Sequence, residues 1–326
     1  MTVKEVFDLR KQGKIEEAYE AIRPMYAVHQ GKYTTLCMFW TASDILKKRI
    51  REKRFDEAEK IFKAILRVFP NIEDKDGKAR SSILYGAVAL DKEIKSFSVL
   101  DFLSQLQVER LSDEDWRSLT PSPGLTPSHS PKGEGNIKGG GSNYPIPSVA
   151  QQLLTCAFHE IQEEPTAENA LKAMPLLQEA IHRYPRNKNC LRYMAVVYRI
   201  MGEKEKAIGI YQQLLRNSRD SYLYAELAEL TDDVGRKASL YCRAIQNQRQ
   251  EKFRMGYRLE LARLLLGRDN PKAAYELQKC IATRKALGFG VTTAMRQMFH
   301  QLSGVQPVTD AEQQVFYQRM AEKFSG

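Results

Sequence analysis

Residues 154–187, "LTCAFHEIQEEPTAENALKAMPLLQEAIHRYPRN", and residues 188–221, "KNCLRYMAVVYRIMGEKEKAIGIYQQLLRNSRDS", decide how this 326-residue chain is built. Set one over the other, Ala173 meets Ala207, Leu177 meets Tyr211 and Ala180 meets Leu214, each pair 34 residues apart. Small and large apolar positions keep their order through two helix-length stretches separated by turn residues, the mark of an internal repeat. One such unit cannot bury its apolar face alone, so it requires neighbours to stack against.

The spacing and the residue types resemble the tetratricopeptide repeat, a pair of antiparallel helices whose small residues permit close crossing. In the second copy the resemblance rests on Leu191, Met194, Ala195 and Tyr198 on the first helix, Gly202 at the turn, and Ala207, Tyr211 and Leu214 on the second helix, while Pro185 stands at the family's terminal proline position in the first copy. "LYAELAELTDDVGRKASLYCRAI" continues the pattern through Ala238, Cys242 and Ile245, 31 residues on, and "YRLELARLLLGRDNPKAAYELQKCI" through Leu261, Leu264, Ala273, Leu277 and Cys280, 35 residues further. Towards the N-terminus, "LRKQGKIEEAYEAIRPMY" supplies Gly13 and Ala18, and "REKRFDEAEKIFKAILRVFP" supplies Ala58, Phe62, Ile65 and Pro70. The fold expected is all-α: tetratricopeptide-like helical hairpins, an α-solenoid in two blocks, with residues 71–111 and 286–326 as helical caps. Pro175 falls within a helix, where a kink or a restart is expected.

The break between blocks is expected at "SLTPSPGLTPSHSPKGEGNIKGGGSNYPIP", which holds six of the 13 prolines and six of the 19 glycines. So little apolar surface cannot offset the entropy of ordering, so a disordered linker is predicted over 112–147, between a block at 1–111 and a block at 148–326. Hydrophobic content of 43% with a mean hydropathy of −0.48 describes a globular protein, and no apolar run is long enough to span a bilayer. The N-terminus has no apolar core of a signal peptide. Five scattered cysteines without ligand spacing predict reduced thiols and a cytoplasmic location.

No catalytic constellation stands out, and no enzyme, cofactor or metal site is expected. The five histidines lie far apart, and "HEIQE" at 159–163 has Glu163 where a zinc protease needs its second histidine. "GEGNIKGGG" has no preceding strand and no Lys-Ser or Lys-Thr after it, so it is no phosphate loop. Pairs such as Glu16–Glu17, Glu57–Glu59 and Glu203–Glu205 open second helices, where carboxylates favour the helix dipole.

Two surfaces remain. The net charge is +10, spread along the chain, and from Lys47 to Arg54 six of eight residues are cationic. Helix-end charge compensation accounts for two or three of these. Lys47, Lys48, Arg49, Arg51, Lys53 and Arg54 are therefore candidate contacts to an anionic partner, nucleic acid first. Arg192, Arg199 and Arg258 fall on outward positions of first helices, and the tetratricopeptide resemblance implies a concave face there that holds an extended peptide or a partner helix. It does not imply a chaperone-tail clamp, because the matching positions are Phe158, Gln162, Tyr193 and Val196. The expectation is a non-catalytic scaffold that binds a protein or peptide. The alternative comes from "LYAELAELTDDVGRKASLYCRAIQ…YRLELARLLL", which resembles tetratricopeptide proteins of bacterial conflict systems and implies a basic, nucleic-acid-associated accessory protein.

Overall fold

The computed structural model describes residues 1–94, 97–106, 108, 111–117 and 147–323. Most of the expected linker, residues 118–146, lies outside them. Among the described residues the regular structure is wholly helical: seventeen α-helices and one 3-10 turn.

By packing, the chain forms two compact units, Met1–Pro185 and Arg186–Gly326, a division that falls elsewhere than the expected one at 112–147. The first unit contains α1 (Val3–Lys11), α2 (Ile15–Val28), α3 (Lys32–Arg51), α4 (Phe55–Val68), α5 (Lys78–Glu93), α6 (Val99–Gln105), α7 (Asp113–Trp116), α8 (Val149–Glu163) and α9 (Ala167–Arg183). Helices α1 with α2 and α3 with α4 form the first hairpins; α5 then packs on α3, α4 and α8, and α6 packs on α8 and α9. The "HEIQE" segment helps to join them, since the Glu160 carboxylate accepts from the Ser98 hydroxyl at 2.8 Å and from the Val99 and Leu100 amides at the start of α6. Helix α9 runs unbroken through Pro175, so no restart occurs there.

The second unit contains the hairpins α10 (Lys188–Ile200) with α11 (Lys204–Asn217), α12 (Ser221–Glu229) with α13 (Val234–Asn247), and α14 (Glu251–Leu265) with α15 (Asn270–Ala286), followed by α16 (Thr293–Gln301) and α17 (Asp310–Lys323). Each pair packs on itself and then on the next helix, and α17 turns back onto α13.

The alanines explain why the hairpins close. Ala18, Ala58, Ala173, Ala207, Ala238 and Ala273, one per second helix, are all buried. A methyl group at the crossing lets two helix axes approach, and larger neighbours such as Phe62 and Tyr211 fill the space on either side.

The turns explain where first helices stop. After α1, Gly13 donates to Arg10 and Lys14 donates to Leu9; after α10, Gly202 donates to Arg199 and Glu203 to Tyr198. This pair of backbone bonds is the Schellman termination, which needs a left-handed residue, and the two glycines adopt φ 78° and 79°. After α3 the same pair forms, Lys53 to Ile50 and Arg54 to Arg49, but the left-handed residue is Lys53 at φ 59°, the one non-glycine residue with positive φ among the described residues.

Candidate functional site

The basic stretch ends α3 and forms this turn, and its six cations divide into two sets. Arg49 points inward. Its guanidinium grips Glu16 of α2 with two bonds of 2.6 and 2.8 Å, and also donates to Glu57 at 2.9 Å and Glu52 at 3.1 Å. Lys48 joins Glu16 at 3.0 Å, and Arg54 grips Glu57. The Arg49 hydrogen bonds hold the Glu16 carboxyl down at about 2. These three cations brace the first two hairpins. With its side chain only 10% exposed, Arg49 is no surface contact for an anion, because any anion there would displace three carboxylates. Lys47, Arg51 and Lys53 are exposed and have no ion-pair partner among the described residues.

In the second unit the three predicted arginines also separate. Arg192 of α10 donates to both oxygens of Glu226 on α12, at 3.0 and 3.1 Å, and lies over the Tyr222 ring at 4.6 Å. Arg199 of α10 donates to one carboxylate oxygen of Glu229, also on α12. Lys188 with Asp220 and Lys204 with Asp232 extend the series, so a cation on or beside α10 meets an acid of the next repeat four times. Beyond these pairs, burial raises the Glu229 carboxyl pKa, and the neighbouring Glu226 and Glu260 carboxylates add to that shift against Arg199.

Arg258 corrects the expectation. It is 4% exposed and lies beneath α17, donating to Glu276 of α15 at 2.8 Å and to the Tyr317 hydroxyl at 3.1 Å. An arginine inside is tolerated only with its charge met, and Glu276 meets it.

The partners Glu16, Glu226, Glu229 and Glu276 were not among the predicted site residues. A signal existed for one of them: Glu226 stands 34 residues after Arg192, the same spacing as Ala173 and Ala207.

Other chemistry is sparse. All five cysteines are free and buried, and burial pushes Cys190 up to about 11 and raises Cys156 and Cys242, so none of these three is a thiolate near neutral pH. Among the described residues no group of three or more His, Cys, Asp or Glu could hold a metal ion. A cavity of about 400 Å³ in the first unit lies by Phe69, Asp74 and Arg80, but Asp74 is spent on the Ala79 and Arg80 amides at the start of α5, at 2.9 Å each. No helix among the described residues is long and apolar enough to cross a membrane.

Residues 191–323, most of the second unit, match the model of a family described as a domain of unknown function, DUF7017. No curated protein matches the chain. Among solved structures, a tetratricopeptide repeat protein from Parabacteroides merdae ATCC 43184 is similar at 13% identity with a TM-score of 0.37, over 92% of this chain and 96% of that one.

Proposed function

We propose that the chain is a non-catalytic helical-repeat scaffold that holds a protein or peptide on the first-helix, concave side of its repeats. The observation that carries this reading is the cross-bracing of α10 to α12 through Arg192–Glu226 and Arg199–Glu229. Side chains already fixed lose little entropy when a partner lands on them, so the bracing favours recognition. Glu226, Glu229 and Glu260 are each paired, with Arg192, Arg199 and Arg263, yet their carboxylates repel one another, so a peptide that brings a further lysine or arginine would gain by sharing them. The buried free cysteines fit a reducing, cytoplasmic setting.

The test is peptide display against the nuclease-treated full chain. Peptides enriched in cations, whose binding is lost on Glu229→Lys and Glu260→Lys, support the reading; enriched peptides indifferent to both substitutions refute it.

A second reading, contact with nucleic acid through Lys47, Arg51 and Lys53, is favoured by the cost of holding Lys53 in the left-handed region. Three phosphate contacts give a slope of about −3 in log affinity against log salt, measured by fluorescence anisotropy with labelled oligonucleotides. Absence of binding at about 50 mM salt removes it.

A further inference from the structure

The charge of the second unit is sorted between two edges. Helices α10 to α15 pack in chain order and reverse direction at every turn, so the turns that enter or leave a hairpin share one edge and the turns inside hairpins share the other. Successive turns of the first edge touch: Lys188 pairs with Asp220, and the Gln248 amide donates to the Ser221 hydroxyl at 3.1 Å. These turns are 186–187, 218–220, 248–250 and 287–292, and with two residues on either side within the unit they hold seven cations against two acids. The turns inside hairpins, 201–203, 230–233 and 266–269, counted in the same way, hold three cations against six acids.

Arg186, Arg219 and Arg249 take one equivalent position, each directly before the N-cap residue of the next first helix, Asn187, Asp220 and Gln250. Arg216 and Lys285 lie in the last turns of α11 and α15, where a cation answers the helix dipole. The start of a helix disfavours a cation, so the dipole does not explain the other three. All five are exposed and have no ion-pair partner among the described residues.

The same edge carries exposed rings. Phe253 in the first turn of α14 is 43% exposed and Phe289 in the turn after α15 is 53% exposed. Each has a cation against it, Lys252 Nζ at 4.5 Å and the Arg284 guanidinium at 5.6 Å from the ring centre. Such a ring offers a nucleic-acid base a face to stack on while neighbouring cations meet the phosphates. Arginine suits that task, because its planar fork presents paired donors to phosphate oxygens. The rings stand singly in separate turns with charge between them, which fits a polymer of bases better than a lipid surface.

We infer that this edge of the second unit is a track for single-stranded nucleic acid, with Arg186, Arg216, Arg219, Arg249 and Lys285 on the phosphates and Phe253 and Phe289 as stacking platforms. The track is separate from the first-helix face and from Lys47, Arg51 and Lys53 of the first unit, so it stands or falls without either.

The probe is a labelled oligothymidylate of about 20 nucleotides, titrated by anisotropy with the nuclease-treated full chain from about 50 to 200 mM salt. Five phosphate contacts on a single strand give a slope of about −3.5 in log affinity against log salt. Arg219→Glu/Arg249→Glu is expected to weaken binding about ten-fold or more and to flatten the slope by about 1.4. Phe253→Ala/Phe289→Ala is expected to weaken binding about ten-fold with the slope unchanged. Circular dichroism checks that each variant is folded, and Arg219→Gln/Arg249→Gln, which introduces no new charge, should act in the same direction as the reversal. Four results overturn the inference: no binding at about 50 mM salt, loss confined to Lys47→Glu/Arg51→Glu, indifference to the ring substitutions, or binding to phosphatidylserine vesicles without binding to the oligonucleotide, which makes a lipid surface the occupant.

Discussion

Lys53 occupies the position that Gly13 and Gly202 occupy in equivalent turns, and the substitution Lys53→Gly measures what that costs. A left-handed conformation costs a residue with a Cβ about 1–2 kcal/mol, while glycine adopts it freely. Glycine also gains freedom in the unfolded chain, which returns about 0.4–1 kcal/mol of that benefit. The net expectation is a gain of about 0.5–1 kcal/mol for Lys53→Gly. The reciprocal Gly13→Ala should lose a similar amount, and there the conformation alone acts, because a Cβ built at Gly13 meets nothing within 4 Å. Both tryptophans, Trp40 and Trp116, lie in the same unit as these two turns, so tryptophan fluorescence during urea unfolding reports the relevant transition. With a slope of about 2 kcal/mol/M, the midpoint should rise by about 0.2–0.5 M for Lys53→Gly and fall by a similar amount for Gly13→Ala. An unchanged or lowered midpoint for Lys53→Gly, with Gly13→Ala neutral, refutes the reasoning that conformation limits these turns. The same variant bears on function: if Lys53 is kept for an anion, Lys53→Gly yields a more stable protein that binds oligonucleotide less well, whereas Lys53→Arg preserves both strain and binding.

Glu16→Gln should cost about 1 kcal/mol at pH 7, a value set low because the carboxylate is 43% exposed and screened by solvent. Arg49 depresses the folded pKa to about 2, so this stabilisation is present above the unfolded value near 4.5 and is lost as pH falls through about 2; the gap between Glu16→Gln and the unaltered chain should close over that window in urea titrations. A double-mutant cycle of Arg192→Ala and Glu226→Ala should return a coupling of about 0.5–1 kcal/mol in thermal unfolding, whereas strict additivity would show that the pair does not join the repeats. Arg258→Met leaves Glu276 buried without its counter-charge and should cost about 3–5 kcal/mol by chemical denaturation, most of it recovered when Glu276→Gln is added.

What was legible in the sequence is what a helix shows of itself. The 34-residue recurrence at Ala173 and Ala207 could be read because hairpin closure needs a small residue at a set place, and composition exposes that without any knowledge of neighbours. The cations could not be assigned in the same way. On its own helix Arg192 looks like a free surface charge, since its partner Glu226 arrives from the next repeat. Arg258 looks like one too, because the Tyr317 that covers it comes from a helix 59 residues later. The same limit governs the division of the chain. A run of prolines and glycines marks where packing is not encoded; it does not say which helices find each other across it, and here α8 returns to α5 and α6 to complete the first unit. A repeat protein makes this failure systematic: each charged position has two candidate environments, solvent or the adjoining repeat, and only the residue one period away distinguishes them. Pairing each cation with the acid one repeat further on would have identified Arg192–Glu226 as an internal brace from the sequence alone. Arg199 shows the limit of that rule, because Asp233 stands 34 residues ahead of it while its partner in the structure is Glu229, 30 residues away.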